Sequence, residues 1–195
     1  MGRTWDSPAG NLLVSTIVRV GPRDPAPSTL AFVTALAVFD TIKNIAPEIS
    51  IRIKWPNDIL SADGAKLCGV LLERSDDAVI VGIGLNLAWH PEGLDRPVTD
   101  LLTLGALPPH PQAITEILAD AFAIWLDRWR NGGMPAIAAS WQKVAHPVGS
   151  ALSVHLPMGD VVAGLFAGLD DDGALRLRLA DGEIRAIHAA DIFLI

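Results

Sequence analysis

The sequence predicts an α+β fold: a mixed, largely antiparallel sheet with helices on one face, followed by a small all-β segment. Three observations carry this. Ile49, Ile51 and Ile53 alternate with Ser50, Arg52 and Lys54, and apolar stretches at residues 66–73 and 79–87 follow across short turns, which reads as an antiparallel meander. Residues 112–131 place Ile114, Ile117, Leu118, Ala121, Phe122, Trp125, Leu126 and Trp129 on one helical stripe. From about Pro147, short alternating strands are separated by Gly- and Asp-containing turns, a pattern that predicts a small β-barrel.

Taken in order, residues 12–20 form an apolar strand, and residues 21–27 hold three prolines that exclude regular structure. Ser28 is a plausible N-cap for a helix running to about Asn44, ended by Ala46-Pro47. The meander follows. Pro56 cannot donate to a ladder, so strand pairing is expected to end or step out there. Ala62-Asp63-Gly64-Ala65 and Asp76-Asp77 supply turns. Residues 90–97 are a loop, and Thr99 is expected to cap a short turn through Leu104. Gly132-Gly133 stops the long helix, and a shorter one at 135–143 turns Ile137 and Trp141 inward. The barrel strands are expected at 152–156, 161–166, 175–179 and 183–187, with Asp170-Asp171-Asp172-Gly173 as a hairpin turn.

Composition narrows the function. Of 195 residues, 50% are hydrophobic and 19% charged, which fits a globular chain. The net charge of -7 argues against non-specific nucleic-acid binding and against an anionic membrane surface. No apolar run is expected to span a bilayer, and the N-terminus lacks the pattern of a secretory signal or, with Asp6 in place of Ser or Thr, of a myristoylation site. A single cysteine, Cys68, excludes an internal disulfide and fits a reducing cytoplasm. It reads as a small buried hydrophobe, and the five histidines show no metal-ligand spacing, so no protein metal site is expected.

The meander concentrates the polar chemistry. Lys54 and Lys66, the Asn57-Asp58 pair, and Gly69, Gly82 and Gly84 inside strand patterns suit a mostly apolar ligand that carries anionic groups. Each has a plainer alternative: solvated lysines, turn residues, and glycines at bulges. Gly82-Ile83-Gly84 is not a dinucleotide fingerprint, since no third glycine or helix follows.

In this order and spacing Lys54-Trp55-Pro56-Asn57-Asp58, Lys66-Leu67-Cys68-Gly69 and Gly82-Ile83-Gly84-Leu85-Asn86-Leu87 resemble the catalytic domain of biotin protein ligases. Residues 2–12 resemble the end of that family's adenylate loop, GRGRxGRxWxSPxGNL, and the likeness covers essentially the whole chain. The resemblance implies a class II synthetase-like catalytic domain over 1–146 and an SH3-like barrel over 147–195. It implies ATP-dependent biotinylation of a lysine on a biotin carboxyl carrier domain through biotinyl-5'-AMP, with Mg2+ carried by ATP. Lys66 and Asp58 are then catalytic. Lys66, Gly69, Val70, Gly82, Gly84, Asn57 and Trp5 bind biotin, the glycines making room for its flat rings. Arg3, Trp5, Lys54 and Asn86 bind ATP or the adenylate. A homodimer is a further expectation. The family's first strand, its Ser-Thr-Asn element and the GRGR half of the loop have no counterpart before Gly2-Arg3, so an N-terminally truncated relative is expected, with Met1 an internal methionine of a longer protein. Two other readings stay open: a non-catalytic module that holds biotin or the carrier, and a related lipoate ligase.

Overall fold

The structure, a computed structural model, describes residues 9–94, 96–157 and 159–194. Arg3 and Trp5, expected at the adenylate, lie outside the described residues. One antiparallel sheet is built from β1 (Leu12–Arg19), β2 (Ile51–Lys54), β3 (Asp58–Ser61), β4 (Lys66–Ser75) and β5 (Ala78–Leu85), in spatial order β1-β5-β4-β3-β2. Strand β3 is a correction to the sequence reading. Pairing does step out at Pro56, across a cis Trp55–Pro56 bond, but it resumes at once, with Asp58 opposite Lys54. Asp58-Ile59-Leu60-Ser61 is too short and too uniformly buried to show an alternation.

Helix α1 (Leu30–Ile45) lies between this sheet and helix α2 (Pro111–Val144), so eleven of its residues are buried. Together with the preceding 3-10 turn it forms a stretch, Pro27–Ile45, long and apolar enough to cross a membrane by length and composition, contrary to expectation. Burial from two sides accounts for that apolarity. Buried Thr34 and Thr41 donate to the carbonyls of Leu30 and Ala37 one turn back, which lets polar residues sit inside. The expected Ser28 cap is replaced: Ser28 falls in the 3-10 turn Pro27–Thr29, and Thr29 occupies the cap position without a side-chain bond to the helix. Its hydroxyl instead accepts from Trp129 Nε1 of α2 at 2.8 Å, while Trp125 Nε1 donates to Asp40 at 2.7 Å. The stripe Ile114, Leu118, Phe122, Trp125 and Trp129 is buried as its spacing predicts. Gly133, at φ 65° and ψ -171°, leaves helical geometry, so α2 is two helices joined at a kink.

Both helices cover one face of the sheet. On the other, Leu13, Ile17, Leu71 and Ile80 are exposed. The C-terminal strands β6 (Ala151–His155), β7 (Val161–Leu169), β8 (Leu175–Arg178), β9 (Ile184–Ile187) and β10 (Asp191–Leu194) form a second antiparallel sheet in the order β10-β6-β7-β8-β9. Where a small SH3-like barrel was expected, the strands form a five-stranded antiparallel sheet whose edge strands β9 and β10 do not pair among the described residues. It packs on the first unit through a mixed cluster: His146 lies edge-on to Phe166 at 4.4 Å, with Trp141 near both.

Candidate active site

Strand ends converge where the first sheet meets β10. Asp58 opens β3, and its register partners are Lys54 on β2 and Gly69 on β4. A β-bulge near Ile59/Leu60 shifts the start of β4, and Lys66 bonds directly to the Asp58 carboxylate. Lys54 Nζ lies 3.6 Å from the same carboxylate. Asp58 is 8% exposed, so two cations flank a nearly dry anion. Burial holds the Lys54 ammonium below the ordinary lysine value. Asp58 opposes that shift, and the charges of Lys66 and Arg96 add to it. The ring of Phe193 on β10 sits 5.5 Å from Lys54 Nζ. These groups border a cleft of about 350 Å³ that also takes in Arg52, Arg96, Ile192 and Leu194.

The glycines divide in role. Gly69 pairs with Gly84, and Gly82 with Leu71 and Ser15, so all three lie in neighbouring rows on the face away from the helices. A Cβ on Gly69 would meet Lys66 Nζ at 2.9 Å and Asp58 Oδ1 at 3.8 Å. Gly69 thus makes room for the lysine to reach its carboxylate, a role the strand pattern did not suggest. At Gly82 a Cβ would meet only ordinary contacts, with Leu71 and Ser15. The result is a flat floor ending in a cation.

Other expected residues turn into the protein, and Cys68 among them is the small buried residue of its sequence reading. Asn57 turns its amide into the protein, Nδ2 donating to the Val70 carbonyl at 2.6 Å, and so pins the 55–57 turn to β4. The Val70 side chain belongs to the core. Cys68 is buried, and desolvation pushes its thiol up to about 12, which leaves it protonated and inert at neutral pH. Trp55 is buried and donates from Nε1 to the carbonyl of Gly173 at 3.0 Å, so it anchors the C-terminal unit.

Asn86 stands at the end of β5, its Nδ2 bonded to the Thr99 carbonyl at 2.9 Å. The sequence reading missed the groups around it. Asn11 Oδ1 accepts from the amides of Leu87 and Ala88, and Asn11 Nδ2 donates to the Trp89 carbonyl, shaping the loop after β5. The short turn after Thr99 is capped by Asp100, which accepts from the Thr103 amide at 2.6 Å, and not by Thr99. An Asp three residues before a turn amide was the available signal. Among the described residues, no group of three His, Cys, Asp or Glu side chains gathers to hold a metal.

Comparison with known proteins matches residues 1–86 to the biotin/lipoate A/B protein ligase family and residues 153–195 to the biotin protein ligase C-terminal domain. A biotin--[acetyl-CoA-carboxylase] ligase of Paracoccus denitrificans is 35% identical over 210 residues, spanning 98% of this chain and 83% of that protein. One from Mycobacterium tuberculosis is 34% identical, spanning 98% and 72%. Among solved structures, the biotin protein ligase of Aquifex aeolicus in complex with biotin and ATP superposes with a TM-score of 0.86 at 23% identity, covering 100% of this chain and 83% of that one. The fold likeness, the ordered motifs and the identity along nearly the whole chain converge: the chain belongs to the biotin protein ligase family.

Proposed function

We propose that this chain is an ATP-dependent biotin protein ligase acting on a lysine of a biotin carboxyl carrier domain. The observation that carries the reading is the glycine floor ending at Lys66, with Asp58 and Lys54 beside it. A flat, largely apolar ligand with one carboxylate fits such a floor, and Lys66 stands where that carboxylate would end. In the first step the biotin carboxylate oxygen attacks the α-phosphorus of ATP, and the bond to the β-phosphate oxygen breaks. Two anions must approach, and the Lys66 ammonium offsets their repulsion. Mg2+ enters as part of the nucleotide substrate. Asn86 binds the nucleotide side, and Lys54 supports the phosphate indirectly by holding Asp58. In the second step the acceptor amine attacks the acyl carbon and AMP leaves. Asp58, freed from Lys66 when that lysine turns to the ligand, orients the amine or takes its proton.

Residues 1–146 form the catalytic domain in this reading. Residues 147–195 act as an SH3-like unit whose β10 closes the cleft with Phe193. The single buried Cys68 suits a cytoplasmic setting. The test is pyrophosphate release with ATP and biotin, together with the mass gain of a carrier domain. Release that needs biotin, with transfer to the carrier, is the expected result. Release with lipoate and not biotin would assign the lipoate reaction, and biotin binding without release would leave only a binding module.

A further inference from the structure

Lys66 opens β4 and Asn86 follows the end of β5, yet one segment holds both. Residues 96–101 run beside the start of β4 and the end of β5 as a strap. The Lys66 amide donates to the Pro97 carbonyl and the Thr99 amide donates to the Lys66 carbonyl, each at 2.9 Å, forming a parallel bridge between Lys66 and Val98. On the other side, Asn86 Nδ2 donates to the Thr99 carbonyl, and the Leu101 amide donates to the Asn86 carbonyl at 3.2 Å. Thr99 therefore touches both residues, accepting from Asn86 through its carbonyl and giving its amide to Lys66.

The strap is fastened at Asp100, which is 3% exposed. Its carboxylate accepts from the Thr103 amide and hydroxyl, and from His90 Nδ1 at 2.6 Å. Burial opposes ionisation, but these hydrogen bonds outweigh it and hold the Asp100 carboxyl below the ordinary range. An ionised carboxylate only accepts, so His90 Nδ1 carries the proton. The two Thr103 bonds are local and fold the turn onto itself. The His90 bond crosses from the loop after β5 to the strap. It joins the two segments that flank Asn86, and the His90 side chain is 26% exposed.

The geometry points to His90 as a positioning residue: by gripping Asp100 it keeps the strap seated, and the strap fixes Lys66 relative to Asn86. This rests on the biotin ligase reading, which assigns Lys66 to the carboxylate and phosphate and Asn86 to the nucleotide. Without the grip the strap samples open states, and ATP meets its two contacts out of register. Biotin shares the Lys66 contact through its carboxylate but rests mainly on the glycine floor, so it depends on the strap less.

The experiment compares the whole chain with His90→Ala and His90→Asn, since asparagine places an amide nitrogen where Nδ1 stands. His90→Ala raises KM for ATP about tenfold in biotin-dependent pyrophosphate release, moves KM for biotin less than about threefold, and His90→Asn recovers most of the loss. Amide hydrogen exchange, read in parallel without substrates, quickens about tenfold at Thr99 and Leu101 in His90→Ala while amides of the β1–β5 pairing hold their protection. Equal rises in both KM values, unchanged KM values, or unchanged exchange at Thr99 would each overturn the proposal. If the parent chain releases no pyrophosphate, the ligase reading fails, and the exchange data still decide whether His90 fastens the strap.

Discussion

Asp58 shows how much of the site depends on single side chains. It bonds Lys66, lies 3.6 Å from Lys54, and is nearly out of water. In the proposed reaction Lys66→Ala removes the charge offered to the reacting anions, and it leaves Asp58 with the weaker Lys54 contact. Single-turnover adenylation should fall at least 100-fold, the scale of about 3 kcal/mol for a preorganised charge in a dry site. A loss under threefold would remove Lys66 from the mechanism. Gly69→Ala tests the same pair more gently. Its new Cβ would stand 2.9 Å from Lys66 Nζ, and only the flexible lysine tip must move. The fold should hold within about 1 kcal/mol while the rate of adenylation drops ~10-fold, because the displaced ammonium no longer meets its target. Parallel measurement of urea unfolding and burst rate separates the two effects.

Among elements, the hairpin turn between β7 and β8 carries unexpected weight. Gly173 sits at φ 85°, its carbonyl accepts from Trp55 Nε1, and a Cβ there would meet Phe32 at 2.7 Å and Met134 at 3.4 Å. The turn is thus inserted against α1, α2 and the Trp55 end of β2. Gly173→Ala adds backbone strain to a clash with core aromatic atoms, and should cost ~2–4 kcal/mol of stability. Trp55→Phe keeps most of the packing but leaves a buried carbonyl unpaired, and should cost about 1–3 kcal/mol. Both follow from denaturant midpoints. If Gly173→Ala melts like the parent, the turn is not the anchor described here.

The whole molecule responds to pH through His146, which links α2 to the second sheet. It is 1% exposed, and both ring nitrogens lack partners among the described residues. Burial first, and the charges of Arg52 and Lys54 second, push it down from 6.5 to about 4. The unfolded chain takes up this proton below pH 6.5 and the folded chain only below about 4, so the unfolded state binds more protons in that window. Stability therefore falls as pH drops from 6.5 toward 4, by ~3 kcal/mol from this group when complete. His146→Phe removes that loss and leaves no orphaned nitrogen, so the variant should lose less stability than the parent between pH 7 and pH 4.5 in urea titrations. An identical loss in both proteins would mean that His146 is hydrated or paired. The same seam decides how separable the two units are. Deleting residues 147–195 strips the cover from Trp55, Phe32 and Trp141, so the remainder should aggregate or melt early and not persist as a weakened enzyme.

The sequence by itself determined what periodicity and order encode. The alternation in β2, the stripe on α2 and the break at Gly133 are local, because a residue's own neighbours along the chain state which face must be buried. The order KWPND, KLCG, GIGLNL identified the family and brought Lys66, Asp58, Gly69 and Asn86 forward before any fold was seen. Strand β3 stayed hidden because four buried residues show no alternation, and local strand patterns did not state whether β9 and β10 reach each other, because that depends on how the whole second sheet curls. The pairing of Asp58 with both lysines, the space Gly69 leaves for Lys66, the grip of His90 on Asp100 and the anchoring of Trp55 on Gly173 belonged to the tertiary structure alone. Trp55 and Gly173 are 118 residues apart. Nothing in either local stretch records the other, because their contact exists only once packing has brought a buried N–H and a buried carbonyl together and each has no water to turn to.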